Sequence, residues 1–253
     1  MVSSAFDSVF SRLDFRFFFL YSSVSYPASN LGYFAAFSLF VLPLAALLGE
    51  LVPVVSYILQ RGRCRNCRAK LSVMYPAAEC WTACLFTAAG IHFGFSKELL
   101  VALLFLSLLM IVTMTDLQYM LIPDKVLLFF LPLFIAGRMF SPLDTWYAGF
   151  AGAVCGFFLL VFIMFVSKGG IGAGDVKLFG VIGLPLGVKL VLIAFFLSVM
   201  IGTVYGMCAA ARGRLGKKQP FPFAPAISAG SALSYLYGEE LFSFYIKLAS
   251  GGA

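Results

Sequence analysis

Eight apolar runs, most of them near the length that crosses a hydrocarbon core, follow one another along this chain with short polar breaks between them. They fall at about 32–49, 76–95, 98–115, 125–141, 146–167, 176–188, 190–211 and 221–238. A bilayer core takes about 20 apolar helical residues to cross. The runs therefore predict an all-α, polytopic integral membrane protein of about seven to eight transmembrane helices. A mean hydropathy of +0.99 with 11% charged residues leaves no stretch with the balance of a separate soluble domain. The N-terminus does not read as a secretory signal, because Asp7 and Asp14 interrupt it and no basic region precedes an apolar core.

The net charge of +7 is concentrated in short loops. Arg61, Arg63, Arg65, Arg68 and Lys70 crowd one, and Arg212, Arg214, Lys217 and Lys218 another. Short basic loops between apolar runs are what the positive-inside rule produces. No aromatic-basic platform accompanies them, so direct nucleic-acid binding is not expected. With the loop 61–70 in the cytoplasm, counting crossings brings Asp116, the 168–175 loop and the basic loop 212–218 back to the cytoplasmic side. The turns near His92, Asp144 and Lys189 then fall outside. The six cysteines lie mostly within apolar runs as small hydrophobes, which does not suggest a disulfide framework.

Against this background two acidic stretches stand out. Gly169-Gly170-Ile171-Gly172-Ala173-Gly174-Asp175-Val176-Lys177 lies between two apolar runs, and Asp116-Leu117-Gln118-Tyr119-Met120-Leu121-Ile122-Pro123-Asp124 lies upstream. A carboxylate at the edge of a hydrocarbon layer is costly to keep, so its default reading is functional. The glycines do not match a dinucleotide fingerprint, since Asp175 stands where the third glycine of G-x-G-x-x-G belongs. A plain interhelical turn explains the glycines and leaves the carboxylate unexplained. Asp116 closes a long apolar helix, where a negative charge meets the unfavourable end of the dipole. Asp124 precedes an apolar run and reads as a cap for it. Two neighbouring carboxylates cannot both ionise, so one can hold a proton while the other activates water. The expectation is that Asp116 and Asp175 face each other and cleave a peptide bond. The lone His92 falls on the other side, which leaves a Ser-His or Cys-His system without its base. Gly152 and Gly156 form a small-xxx-small pair that reads as helix packing.

Cys64-Arg65-Asn66-Cys67 has the spacing of half a tetrahedral zinc site, so Cys64 and Cys67 are candidate metal ligands, with Cys80 and Cys84 four residues apart on the next helix. Two ligands do not close such a site.

Asp116 with Leu121-Ile122-Pro123-Asp124, followed by Gly172-Ala173-Gly174-Asp175-Val176-Lys177-Leu178, resembles the signature of type IV prepilin leader peptidases, the bacterial branch of the G-x-G-D intramembrane aspartyl proteases. Gly62 to Cys67, Tyr75-Pro76, Glu79 and Pro222-Phe223-Ala224-Pro225-Ala226 also resemble that family. The likeness covers about residues 49–247 and is nearest to its competence-type members in Gram-positive bacteria. It implies an aspartyl endopeptidase of the cell membrane, multi-pass, with its site facing the cytoplasm and with prepilins and pilin-like competence proteins as substrates. By the same resemblance Asp116 and Asp175 are the catalytic pair. Gly172, Gly174, Lys177, Pro123 and Asp124 would support substrate or loop, and the bilayer is the other partner. The division implied is a divergent N-terminal region 1–48 with a first transmembrane helix, a cytoplasmic basic loop 49–75, and a peptidase membrane domain 76–253. Residues 1–48 carry neither the Gly-Ser-Phe helix nor the first C-x-x-C usual in the family, through divergence or an altered start. Many members also N-methylate the new pilin terminus from S-adenosyl-L-methionine, an activity associated with that N-terminal part. Proteolysis needs no cofactor. S-adenosyl-L-methionine is implied only with retained methyl transfer, and zinc only with the Cys64–Cys67 loop. The rival from another class is a transporter or ion channel with Asp116 and Asp175 as relay carboxylates. Transport predicts charges near mid-membrane and internal repeats, whereas these aspartates lie at helix ends and no repeat is evident.

Overall fold

The computed structural model describes residues 73–143, 145–167, 171–211 and 222–249. The expected first transmembrane helix, the boundary at 48/49 and the loop bearing Cys64 and Cys67 lie outside the described residues. Among the described residues there are six helices and no strand: α1 (Met74–Phe93), α2 (Lys97–Tyr119), α3 (Asp124–Phe140), α4 (Ala148–Val166), α5 (Ala173–Ala211) and α6 (Ala224–Ala249). Three of these, α2, α4 and most of α5, are long and apolar enough to cross a membrane by length and composition.

α5 is two antiparallel segments. Gly187 breaks it with φ 71° and ψ 177°, a backbone conformation open to glycine. Phe179 and Phe195 would stand about 24 Å apart along an unbroken helix, yet their rings lie 6.2 Å apart. The chain therefore reverses at Gly187, between the runs 176–188 and 190–211 expected from the sequence. The first segment, 173–186, is only about 20 Å long. It is buried over most of its length, with Leu178, Phe179 and Ile182 fully enclosed. A short apolar helix of this kind is a core element of the bundle rather than a lipid-facing span.

Glycines let this core helix dock. A Cβ on Gly152 of α4 would lie 2.6 Å from the Gly187 backbone, and one on Gly156 would lie 2.7 Å from the Phe179 carbonyl oxygen. The α4 and α5 backbones thus touch along a small-residue stripe, the packing that the Gly152–Gly156 spacing predicts. α4 turns Phe150, Phe158, Phe162 and Phe165 outward, which suits a surface solvated by lipid tails.

α2 and α6 run antiparallel, joined by hydrogen bonds at three levels. Ala224 N donates to Asp116 Oδ2 at 3.1 Å, Ser228 Oγ to the Leu109 carbonyl at 3.1 Å, and the Tyr235 hydroxyl to Glu98 Oε1. The last belongs to a half-buried polar knot at the end of the bundle away from Asp116. There Arg138 of α3 pairs with Glu98 through two bonds of 2.7 and 3.0 Å and donates to the Pro185 carbonyl beside the α5 reversal. Ser141 Oγ adds a bond to Glu98 at 2.7 Å. One ion pair so ties α2, α3, α5 and α6 together. Leaving either half-buried charge without its partner would destabilise the bundle.

Candidate active site

Asp116 and Asp175 reach the same end of the bundle from different helices. Asp116 lies in the last turn of α2 and is 7% exposed; Asp175 lies in the first turn of α5. The two carboxylates are close enough to interact electrostatically. Sequence reasoning placed Asp116 at the unfavourable end of its own helix, and that holds for α2. The compensation comes from α6, whose first residue, Ala224, donates its backbone N–H to the carboxylate. Asp175 in turn receives a backbone hydrogen bond from Gly172, immediately before α5. Its placement three residues into the helix is that of the acidic member of a capping box. Each carboxylate thus sits at the amino end of a helix, where backbone donors and the dipole favour negative charge. That arrangement offsets part of the cost of holding two such groups together in a half-dry site.

The glycines of the Gly172-Ala173-Gly174-Asp175 stretch have separable jobs. A Cβ on Gly172 would stand 3.2 Å from Asp175 Oδ2, and one on Gly174 would stand 3.2 Å from the Ile122 Cβ. The bare first glycine gives the Asp175 carboxylate room to fold back. The second lets the α2–α3 connection lie against the start of α5. That connection turns at Met120, whose φ of 51° is the one positive value among the described non-glycine residues. It then runs through the extended, buried Pro123 into α3.

Comparison with known proteins agrees with this layout. The type IV leader peptidase family matches residues 103–207, which include both aspartates, and the bacterial peptidase A24 N-terminal domain matches residues 46–93. A protein of Bacillus subtilis (strain 168) named prepilin leader peptidase/N-methyltransferase is 57% identical over 202 residues, 80% of this chain and 82% of the relative. This chain belongs to the type IV leader peptidase family. Relatives with the same name from Aeromonas hydrophila (31% identical, 81% of this chain, 71% of the relative) and Legionella pneumophila (29%, 77% and 70%) extend the likeness. No solved structure matches the chain. Membership makes the protein a peptidase and agrees with the apolar helices in making it a membrane protein.

For a leader peptidase, the remaining expected residues divide into two groups. Lys177 and Asp124 meet, with Lys177 Nζ 2.9 and 2.7 Å from the two carboxylate oxygens, which links α5 to the start of α3. The expectation that Asp124 caps α3 is corrected. Pro123 occupies the N-cap position and no side chain caps the helix, while Asp124 is the first helical residue with its carboxylate turned to Lys177. From the first helical position the side chain still meets the favourable end of the dipole, but it spends its oxygens on another helix. Cys80 and Cys84 are exposed on α1, and among the described residues no group of three or more His, Cys, Asp or Glu could hold a metal. Ala224 was missed as a site residue. Its contribution is a backbone N–H, and the Pro222-Phe223-Ala224-Pro225 run, noticed only as a likeness, was its one trace in the sequence.

Both partners of the Lys177–Asp124 bridge are more than half exposed, at 51% and 67%. Such pairs are worth about 0–1 kcal/mol. Asp124→Asn is therefore expected to leave the fold intact and to keep most of the cleavage activity, because the bridge contributes little to stability. Measured initial rates of leader removal check this; complete loss would move Asp124 into the reacting centre.

Proposed function

We propose that Asp116 and Asp175 are the catalytic pair of an aspartyl endopeptidase that removes the leader peptide of prepilins and pilin-like competence proteins at the cytoplasmic face of the cell membrane. The observation that carries the reading is the meeting of these two carboxylates at the amino ends of two helices, at one end of an apolar bundle. One carboxylate takes a proton from water as the water oxygen attacks the scissile carbonyl carbon. The other, protonated, gives its proton to the carbonyl oxygen. Collapse of the tetrahedral species breaks the C–N bond as a proton passes to the leaving nitrogen. Water and the two carboxyl groups account for every atom and proton. S-adenosyl-L-methionine enters this proposal solely with a methyl-transfer activity, and zinc solely with Cys64 and Cys67, and neither takes part in the carboxylates' chemistry.

A site at one end of the bundle suits a substrate whose apolar helix lies in the bilayer while its basic leader stays in water. Co-expression with a candidate prepilin tests the proposal. A mobility shift and a new N-terminus at the leader junction are expected, and an unprocessed prepilin beside inserted enzyme would refute it. Orientation is tested separately. Reporters fused after Lys70, Lys168 or Lys217 are expected to read cytoplasmic, and one after Asp144 external. An external reading at Lys168 would put the site on the other face.

A further inference from the structure

α6 begins without a polar cap of its own. Phe223, just before it, has no side-chain acceptor. Pro225 has no N–H, and the amides of Ala226 and Ile227 both bond back to the Phe223 carbonyl at 3.0 and 3.1 Å. The one first-turn donor left, Ala224 N–H, goes to Asp116 Oδ2 at 3.1 Å. A carboxylate from another helix therefore does the capping. Both partners are shielded, Ala224 at 0% exposure and Asp116 at 7%, so water cannot readily replace the bond.

Two contacts hold this donor in place. The Phe223 ring fills a notch at Gly202 of α5, where a Cβ would come within 2.6 Å of its Cε2 atom. One turn further along α6, Ser228 Oγ bonds the Leu109 carbonyl of α2 at 3.1 Å, two turns before Asp116 on that helix. The first turn of α6 is thus pinned to α2, which carries Asp116, and to the second segment of α5, antiparallel to the one that carries Asp175.

We infer that this turn belongs to the peptidase machinery: the Ala224 backbone N–H, set by Phe223 in the Gly202 notch, is a positioning group that fixes one oxygen of Asp116 and leaves the other for Asp175 and water. The inference rests on the aspartyl-peptidase reading and adds to it a group with no side-chain chemistry. A carboxylate free to rotate about its χ angles would sample arrangements in which no oxygen faces its partner, and misplacement by about 1 Å can cost about 10²-fold in rate. Of the charged groups at this end of the bundle, Asp175 interacts with Asp116, and Lys177 and Asp124 are bound to each other; the variants below leave all of them intact.

The test uses purified full-length protein in liposomes with an intact prepilin, measuring kcat and KM across pH. Wild-type cleavage that is lost in Asp116→Asn establishes the underlying reading; a wild-type protein that does not cleave overturns both. Ala224→Pro deletes the N–H at a helix position where proline is at home, and Ala224→Val adds similar bulk while keeping the N–H. Ala224→Pro is expected to lower kcat by about 10²-fold with KM little changed. It should also move the acid limb of the rate profile to higher pH, because the ionised carboxylate has lost a donor. Ala224→Val should leave that limb where the wild type has it. Matching profiles for the two variants would overturn the inference while the peptidase reading stands. Should Ala224→Pro show no thermal unfolding transition, Phe223→Ala decides, since it empties the notch and lets the donor drift. A lowered kcat with the same displacement of the acid limb supports the inference, and an unmoved limb overturns it.

Discussion

Asp116→Asn and Asp175→Asn are each expected to bring leader cleavage below detection, a loss of at least about 10³-fold, within the range that positioned acid–base groups contribute. Asn preserves size and some hydrogen bonding but cannot take a proton from water or share one with a neighbouring carboxylate. The geometry adds a second expectation. In Asp116→Asn the new side-chain amide oxygen can still accept from Ala224 N–H, and in Asp175→Asn it can still accept from Gly172. Both variants should therefore insert and fold, with thermal midpoints near the wild type's. Removing both carboxylates should cost little more than removing one, because the pair acts as a unit. Co-expression with a prepilin, with N-terminal sequencing of the product and a thermal melt of each purified variant, reads all of this. Normal processing by either single variant would sink the aspartyl mechanism.

The second large effect is on folding. Gly152→Leu is expected to leave little folded protein. Its Cβ would fall 2.6 Å from the Gly187 backbone, where the neighbour is main chain at the α5 reversal and cannot rotate aside. Overpacking a core against side chains costs about 1–3 kcal/mol; against backbone the helices must separate, and the cost should exceed that range. At about 2–4 °C per kcal/mol for a chain of this size, the midpoint should fall by roughly 10 °C or more. Gly206→Ala, where nothing lies within 4 Å of the added Cβ, serves as the control and should stay near wild type. Fluorescence-detected size exclusion and a thermal melt of each variant check the pair. A wild-type midpoint for Gly152→Leu would mean that α4 and the α5 reversal do not pack as described.

How much of this was legible beforehand follows from what each feature depends on. The described helices follow from apolar runs of bilayer length, and their bounds fall within a few residues of expectation except where α6 continues to Ala249. The extra length is amphipathic and exposed, and apolar run length carries no signal for it. The reversal of α5 was legible as a gap between two runs, but its hinge was not. Composition put the break at Lys189, whereas only the positive φ of Gly187 and the depth of the α4 contact locate it.

The sequence by itself singled out the two groups to which the proposed chemistry is assigned. Carboxylates are rare in an apolar chain, and Asp116, Asp124 and Asp175 stand out because they border Gly-rich or Pro-containing turns at helix ends. Only the tertiary structure decided how they are held. The donor to Asp116 is a backbone amide 108 positions away, and every residue but proline has such an amide, so no residue type marks it. The role of Asp124 was misjudged for a related reason. A carboxylate at the start of a helix looks like a cap in one dimension, and its true partner, Lys177, comes within 2.7 Å only because α3 and α5 begin at the same end of the bundle. Local spacing fixes which side chains share a helix face or turn. Which helix ends converge is set by close approaches such as that of the α5 backbone to Gly152 and of the Ile122 side chain to Gly174, where the missing Cβ leaves room.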